Sequence, residues 1–138
     1  IGVRLVGSEM CIRDSYKTLS WDDVKNLHDL PKYEVGGHTV NHEILSYLDD
    51  KELDYEIGDC IKTLSKHLGK TVDSFSYPEG QEMHYNDKVI SVLKKYGIKI
   101  CPSAIDGVVD GIDDNFNLKR VMVGFWERKF PFEEYYND

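Results

Sequence analysis

Glu34-Val35-Gly36-Gly37-His38-Thr39-Val40-Asn41-His42 is a short apolar run that ends in two glycines and leads at once into two histidines four residues apart. That order predicts a strand whose C-terminal end delivers two imidazoles to one place. Residues four apart lie on one face of a helical turn, so the spacing predicts that His38 and His42 meet one ion from a single such turn. Neutral imidazole is the commonest protein ligand for zinc. Gly36 and Gly37 read as the pair that lets the backbone leave the strand sharply. A plainer reading makes His38 a turn cap and His42 a helix-surface residue; the glycines and a second motif downstream favour ligands.

Working outward, helix and strand signals alternate. Ser20 is an N-cap signal before Trp21, Val24, Leu27 and Leu30, an apolar set at helical spacing that Pro31 ends. A strand is expected at residues 33–36. Asp49 or Asp50 would cap a longer helix with Leu53, Ile57, Cys60, Ile61, Leu64 and Leu68 on one face, closed by Gly69. Residues 71–77 read as the next strand, stopped by Pro78 and Gly80. A helix from Asn86 or Asp87 carries Val89, Ile90, Val92 and Leu93, and Gly97 precedes a strand at 98–101. Residues 105–115 read as a loop, and 116–123 as a last strand with Leu118, Val121 and Val123 inside. The aromatic, acidic tail from Trp126 is broken by Pro131. Strands alternating with helices of this length imply an α/β fold with a parallel sheet and right-handed crossovers, with the chemistry at the C-terminal strand ends. His38 and Pro78 both fall at such ends.

Composition narrows the function. The chain has 138 residues, enough for one domain with a real core but short of the roughly 250 typical of a complete β/α barrel. A net charge of −8 with scattered acidic residues argues against nucleic acid as a partner, which would ask for a basic face. No apolar run approaches the roughly 20 residues of a membrane span. Cys11, Cys60 and Cys101 form no close-spaced pair, so neither a zinc ribbon nor a disulfide framework is expected. Cys60 reads as helix core and Cys101 as a strand end.

The N-terminal residues stand apart. Leu5-Val6-Gly7-Ser8-Glu9-Met10-Cys11-Ile12-Arg13-Asp14-Ser15 resembles the in-frame translation of a transposase-type sequencing adapter. Residues 1–15 are therefore read as non-native and 16–138 as the domain. The natural sequence then starts near Tyr16, part-way into that domain.

The second constellation is Phe75-Ser76-Tyr77-Pro78-Glu79-Gly80-Gln81-Glu82-Met83-His84-Tyr85-Asn86. Such a turn at a strand end presents an aromatic wall, a rigid proline and free backbone N–H groups, which suits gripping a substrate and an oxyanion. Taken alone, Tyr-Pro-Glu-Gly is an ordinary turn. About forty residues after the histidine pair in a β/α chain, it gains weight.

From about Trp21 to Phe125 the chain resembles the polysaccharide deacetylase family, metal-dependent carbohydrate esterases on a distorted β/α barrel. The family's His-(Ser/Thr)-x-x-His motif stands as His38-Thr39-Val40-Asn41-His42, and its Arg-x-Pro-Tyr motif corresponds to Ser76-Tyr77-Pro78-Glu79, with arginine and tyrosine both replaced. The segment from Leu118 to Phe125 looks like the closing strand.

The resemblance implies a partial, distorted (β/α) barrel lacking its first strand or strands. It implies hydrolysis of N-acetyl groups on an amino-sugar glycan, with a divalent metal, Zn2+ by preference, on His38 and His42. It also implies an oxyanion donor in the backbone N–H of Glu79, and Tyr77 and Pro78 against the sugar. His84 is a candidate general acid by its place in the motif, and a surface histidine near a helix N-cap otherwise. The family's usual adjacent aspartates, a general base and a third ligand, would lie upstream of Tyr16. Asp22-Asp23 is not that pair, because acidic residues at a helix start need no metal to explain them. Nor does a Leu-x-His, the family's usual general acid, stand near the C-terminus. With two ligands instead of three, this chain by itself is expected to bind metal weakly and turn over little. The competing reading is a non-catalytic carbohydrate-binding relative, motivated by the altered Arg-x-Pro-Tyr position. A zinc protease would want Glu beside the first histidine, where Thr39 stands. Envelope and cytoplasmic locations are equally compatible with the family.

Overall fold

A computed structural model describes residues 18–111 and 114–121. The adapter-like segment, Val123 and the tail from Trp126 lie outside the described residues. Helix α1 (Trp21–Asp29) starts where the Ser20 signal puts it: the Ser20 hydroxyl accepts from Asp23 N–H while the Asp23 carboxylate accepts from Ser20 N–H, a reciprocal cap. No α1 residue is buried, and the helix is held by half-buried Val24 and by Trp21, whose ring stacks on His67 at 3.9 Å. His67 and His28, to which no role falls in the sequence, are thus structural; His28 Nδ1 accepts from Val35 N–H at 3.2 Å.

The expected long helix begins at Asp49, which caps α2 (Asp50–Leu53) by accepting from Lys51 and Glu52 N–H groups. It is not one continuous α-helix. A π-helical turn, Asp54–Asp59, joins α2 to α3 (Cys60–Leu68), and Gly69 ends α3 in the left-handed region. The widened turn carries Glu56, Ile57 and Gly58 inward together, so a carboxylate enters the side the periodic reading reserved for apolar groups. Helix α4 (Asp87–Lys95) starts on Asn86, whose side chain accepts from Val89 N–H. Lys95 Nζ and Tyr96 Oη both reach Asp54 Oδ1, at 2.8 and 3.1 Å, fastening α4 to the π turn.

The strands are shorter than expected. Gly37 bridges Phe75, Ser74 bridges Ile100, and Pro102 bridges Leu118, all in parallel sense. Each contact is a single bridge, supported by bonds such as Gly37 N–H to Ser74 O at 2.9 Å and Ser76 N–H to Gly37 O at 2.9 Å. Pro78 and Pro102 help to explain the brevity, since proline cannot donate to a ladder. The four extended segments still lie side by side in chain order, the neighbour relation that successive parallel crossovers produce. The described residues therefore form a parallel α/β arc and do not close a barrel.

Its core comprises Leu45, Leu53 and Ile57 from the first crossover, Val89 and Leu93 from α4, and Phe75, Cys101 and Phe116 from the extended segments. Leu118 and Val121, expected inside, are only half-buried, and Phe116 at the start of the segment is buried instead. Cys60 and Cys101 are buried free thiols, as their positions suggested. Burial pushes the Cys101 thiol up to about 12. No helix of the described residues is long and apolar enough to cross a membrane.

Candidate active site

His38 and His42 do come together, but not on a helix. Their ring centroids are 4.9 Å apart with the planes at 70°. The chain between them is a loop in which Thr39 and His42 take left-handed φ values of 66° and 64°, so the sharp exit is made by these two residues and not by the glycines. Thr39 Oγ1 accepts from His42 N–H at 2.9 Å and closes the loop. Gly37 serves a different need, close approach: a Cβ there would meet Phe75 Cδ2 at 2.5 Å and Ile61 Cδ1 at 2.8 Å.

The carboxylate of Glu56 holds the loop from beneath. Glu56 Oε2 accepts from Val40 N–H at 2.9 Å and Asn41 N–H at 2.8 Å, and Oε1 from Asn41 Nδ2 at 2.6 Å. With Glu56 only 3% exposed, these are charge-assisted bonds in a dry setting. Cys60 lies below the same loop, with the N–H groups of His38 and Thr39 near its sulfur; burial nonetheless raises its pKa.

The orientation of His38 is set from the second extended segment. Its Nδ1 lies 2.7 Å from Ser76 O and 2.9 Å from Ser76 Oγ. A carbonyl can only accept, so the proton belongs on Nδ1 and the Nε2 lone pair is left free. Desolvation holds His38 below the ordinary imidazole range, the Ser76 bond opposes that shift, and the charges of His42 and Arg120 add to it.

The turn after Ser76 departs from expectation. Tyr77 and Pro78, expected against the sugar, are both fully buried. Tyr77 stacks on Tyr85 at 4.0 Å and donates its hydroxyl to Phe116 O at 2.9 Å, so it belongs to the core. Tyr77→Phe should therefore cost about 1 kcal/mol of stability, for the carbonyl left without its donor, and leave oligosaccharide affinity unchanged. Urea unfolding and a sugar titration check the two halves separately.

Glu79 is exposed, with φ of 60°, and Gly80 N–H closes back on Pro78 O at 2.6 Å. A three-residue turn around a positive φ is the rare, strained form of γ-turn. Gly80 is required next to it, because φ there is 69° and a Cβ would meet Ala104 N at 2.8 Å. Among the described residues nothing accepts the Glu79 N–H. His84 lies in a short turn, Glu82–His84, and its Nδ1 accepts from Gln81 N–H at 3.2 Å. In the neutral ring, Nε2 then carries the proton. His42, Glu79 and His84 line one open cleft of about 460 Å³, with Tyr47 and Leu48 on its wall.

Residues 5–101 match the polysaccharide deacetylase family. The chain belongs to that family. The match begins inside the adapter-like segment and takes in both motifs. Among solved structures, the chain resembles the Streptococcus pyogenes deacetylase PplD in complex with acetate, with a TM-score of 0.70 and 21% identity over 81% of this chain and 48% of that one. The polysaccharide deacetylase BC0361 from Bacillus cereus gives a TM-score of 0.64 and 27% identity over 78% of this chain and 33% of that one. A de-N-acetylase from Aggregatibacter actinomycetemcomitans gives 0.68 and 18%, over 85% and 52%. The chain thus spans about a third to a half of the length of these structures. No curated protein matches it.

The candidate site offers part of what a metal shell needs. Two imidazoles meet edge to face, and His38 has its free nitrogen fixed by a backbone acceptor on the other, the usual arrangement for a ligating histidine. No group of three His, Cys, Asp or Glu among the described residues could complete a zinc shell. The sequence reading missed Glu56. Its only signal was a glutamate one position before the apolar Ile57 on a face read as solvated.

Proposed function

We propose that the intact protein is a metal-dependent hydrolase that removes N-acetyl groups from an amino-sugar glycan. We place it on a distorted β/α barrel whose early strands precede Tyr16, with residues 1–15 adapter-derived. The observation that carries the proposal is the His38 ring, oriented by Ser76 O so that Nε2 is left without the proton, in contact with His42, which lines a cleft together with Glu79 and His84.

A divalent ion, zinc by its preference for imidazole nitrogen, would supply Lewis-acid polarisation of the acetyl carbonyl and acidification of a water. His38 and His42 would hold it, and Glu56 keeps their loop in shape. The Glu79 N–H donates to the oxygen that becomes negative as the carbonyl carbon turns tetrahedral, a role independent of the glutamate side chain. The proton on His84 Nε2 goes to the departing amine nitrogen, so acetate and a free amino sugar leave. The general base is assigned to an aspartate upstream of Tyr16. Without that residue and a third ligand, the present chain has little activity of its own.

The test is acetate release from N-acetylglucosamine oligomers by the full-length chain recovered across the Ser15–Tyr16 junction, with zinc and with a chelator. Zinc-dependent release supports the enzyme. Oligomer binding without release would favour a carbohydrate-binding relative, a reading prompted by Ser76 standing in place of the motif arginine. In the active protein, His84→Ala should lower kcat by about 10²- to 10⁴-fold with little change in KM. Undiminished turnover would assign His84 to the cap alone.

A further inference from the structure

Two short turns form the rim of the cleft, Leu45–Tyr47 and Glu82–His84, and Ser46 Oγ donates to Met83 O at 2.7 Å to hold them together. From this fastened rim Tyr47 extends with 73% of its surface exposed. A single exposed aromatic is ordinary, but this ring lines the same cleft as His42 and His84. Fixed aromatic rings at a cleft edge offer an apolar face at low entropic cost, and a pyranose ring presents a matching apolar face of C–H groups.

The charge on the cleft is the second observation. Glu43 and Glu79 both line it and both are exposed, and among the described residues no lysine or arginine lines it. Lys88, which reaches Leu48 O at 3.2 Å, is paired with Asp50 at 2.7 Å. Arg120, whose charge reaches His38, has its Nε on Ser103 O. The described lining of the cleft therefore carries two carboxylates, together with a ring that also attracts cations.

We infer that Tyr47 and Glu43 form a subsite for an already deacetylated, cationic amino-sugar unit adjoining the acetylated one at the histidines, so that the site favours partly deacetylated glycan. The sugar's apolar face lies on Tyr47 and its ammonium group faces Glu43. The inference rests on the deacetylase reading, and extends it from the unit that is cut to the neighbour that is recognised.

The experiment is titration of the present chain, without metal, with the tetramers of glucosamine and of N-acetylglucosamine at low and high salt. The glucosamine tetramer should bind about fivefold more tightly at low salt, and the difference should vanish at high salt. Glu43→Gln should equalise the two tetramers. Tyr47→Ala should weaken both by about tenfold while Tyr47→Phe keeps most of the affinity. Urea unfolding of each variant separates lost contact from lost fold. Equal binding by the unsubstituted chain, binding of neither tetramer, or a preference that survives Glu43→Gln overturns the subsite. The two proposals fail separately: a glucosamine preference with no acetate release from the full-length protein rejects the reaction alone, and release without the preference rejects the subsite alone.

Discussion

His38→Ala should remove measurable zinc binding from the present chain and acetate release from the full-length protein. Of the two histidines, His38 is the one whose free nitrogen is fixed by a bond to the other segment, Nδ1 to Ser76 O at 2.7 Å. Its loss should exceed the roughly 10- to 100-fold that removal of an outer-shell partner costs a metal site, because a donor itself disappears. Ser76→Ala is the matched control: it takes away only Oγ, at 2.9 Å, and leaves the carbonyl that sets the tautomer. Zinc competition against a chromophoric chelator reads both variants. A His38→Ala chain that keeps parental affinity would end the assignment.

The same residue sets a pH dependence whose sign follows from its depressed pKa. The folded chain binds a proton at His38 less readily than the unfolded chain does, so stability is full above 6.5, the ordinary histidine value, and falls as pH drops from there through the lower folded value. Zinc affinity runs the same way, because the lone pair is lost only below that depressed value. Urea midpoints on either side of 6.5 should differ in the parent chain and converge in His38→Ala.

Local signals were legible where local chemistry decides the structure. Ser20, Asp49 and Asn86 each cap a helix because their side chains reach backbone N–H groups within three residues, and no distant contact is needed. Period gave the buried side of α4, where Val89 and Leu93 lie inside, but not that of α1, where Leu27 and Leu30 stay exposed, nor the inward turn of Glu56; the side-by-side order of parallel segments followed from alternation. His38 and His42 were legible as a pair from type and spacing, although the loop that joins them was not. Its left-handed residues are Thr39 and His42, and that path is held by Thr39 Oγ1 within the loop and, from other elements, by the Glu56 carboxylate and Ser76. Tyr77 and Pro78 illustrate the opposite error. A Tyr-Pro-Glu-Gly turn has surface composition, but the segment enters the core between Tyr85 and Phe116, and only Glu79 emerges. Burial of that kind depends in part on Phe116, 39 positions from Tyr77, beyond any local pattern.

Glu56→Ala should be the most destabilising single change in the site. The substitution removes three acceptor contacts at once and leaves Val40 N–H, Asn41 N–H and Asn41 Nδ2 without the carboxylate that accepts them. A bond to a charged group is worth about 1.5–3 kcal/mol, and a donor left unsatisfied costs about 1–3. The three contacts share one carboxylate, so they are not additive, and a total loss of about 3–5 kcal/mol is expected. Glu56→Gln keeps the shape and one acceptor oxygen but turns an NH₂ toward donors, so it should fall between parent and alanine. The loop carries His38 at one end and His42 at the other, so zinc affinity should fall with stability, although Glu56 makes no bond to either ring. Denaturant unfolding and zinc competition on the same samples decide the point. If Glu56→Ala unfolds at the parental urea concentration, the loop is held by Thr39 and Ser76 alone. If it is destabilised yet binds zinc as before, the histidine pair does not depend on the path of the chain between them.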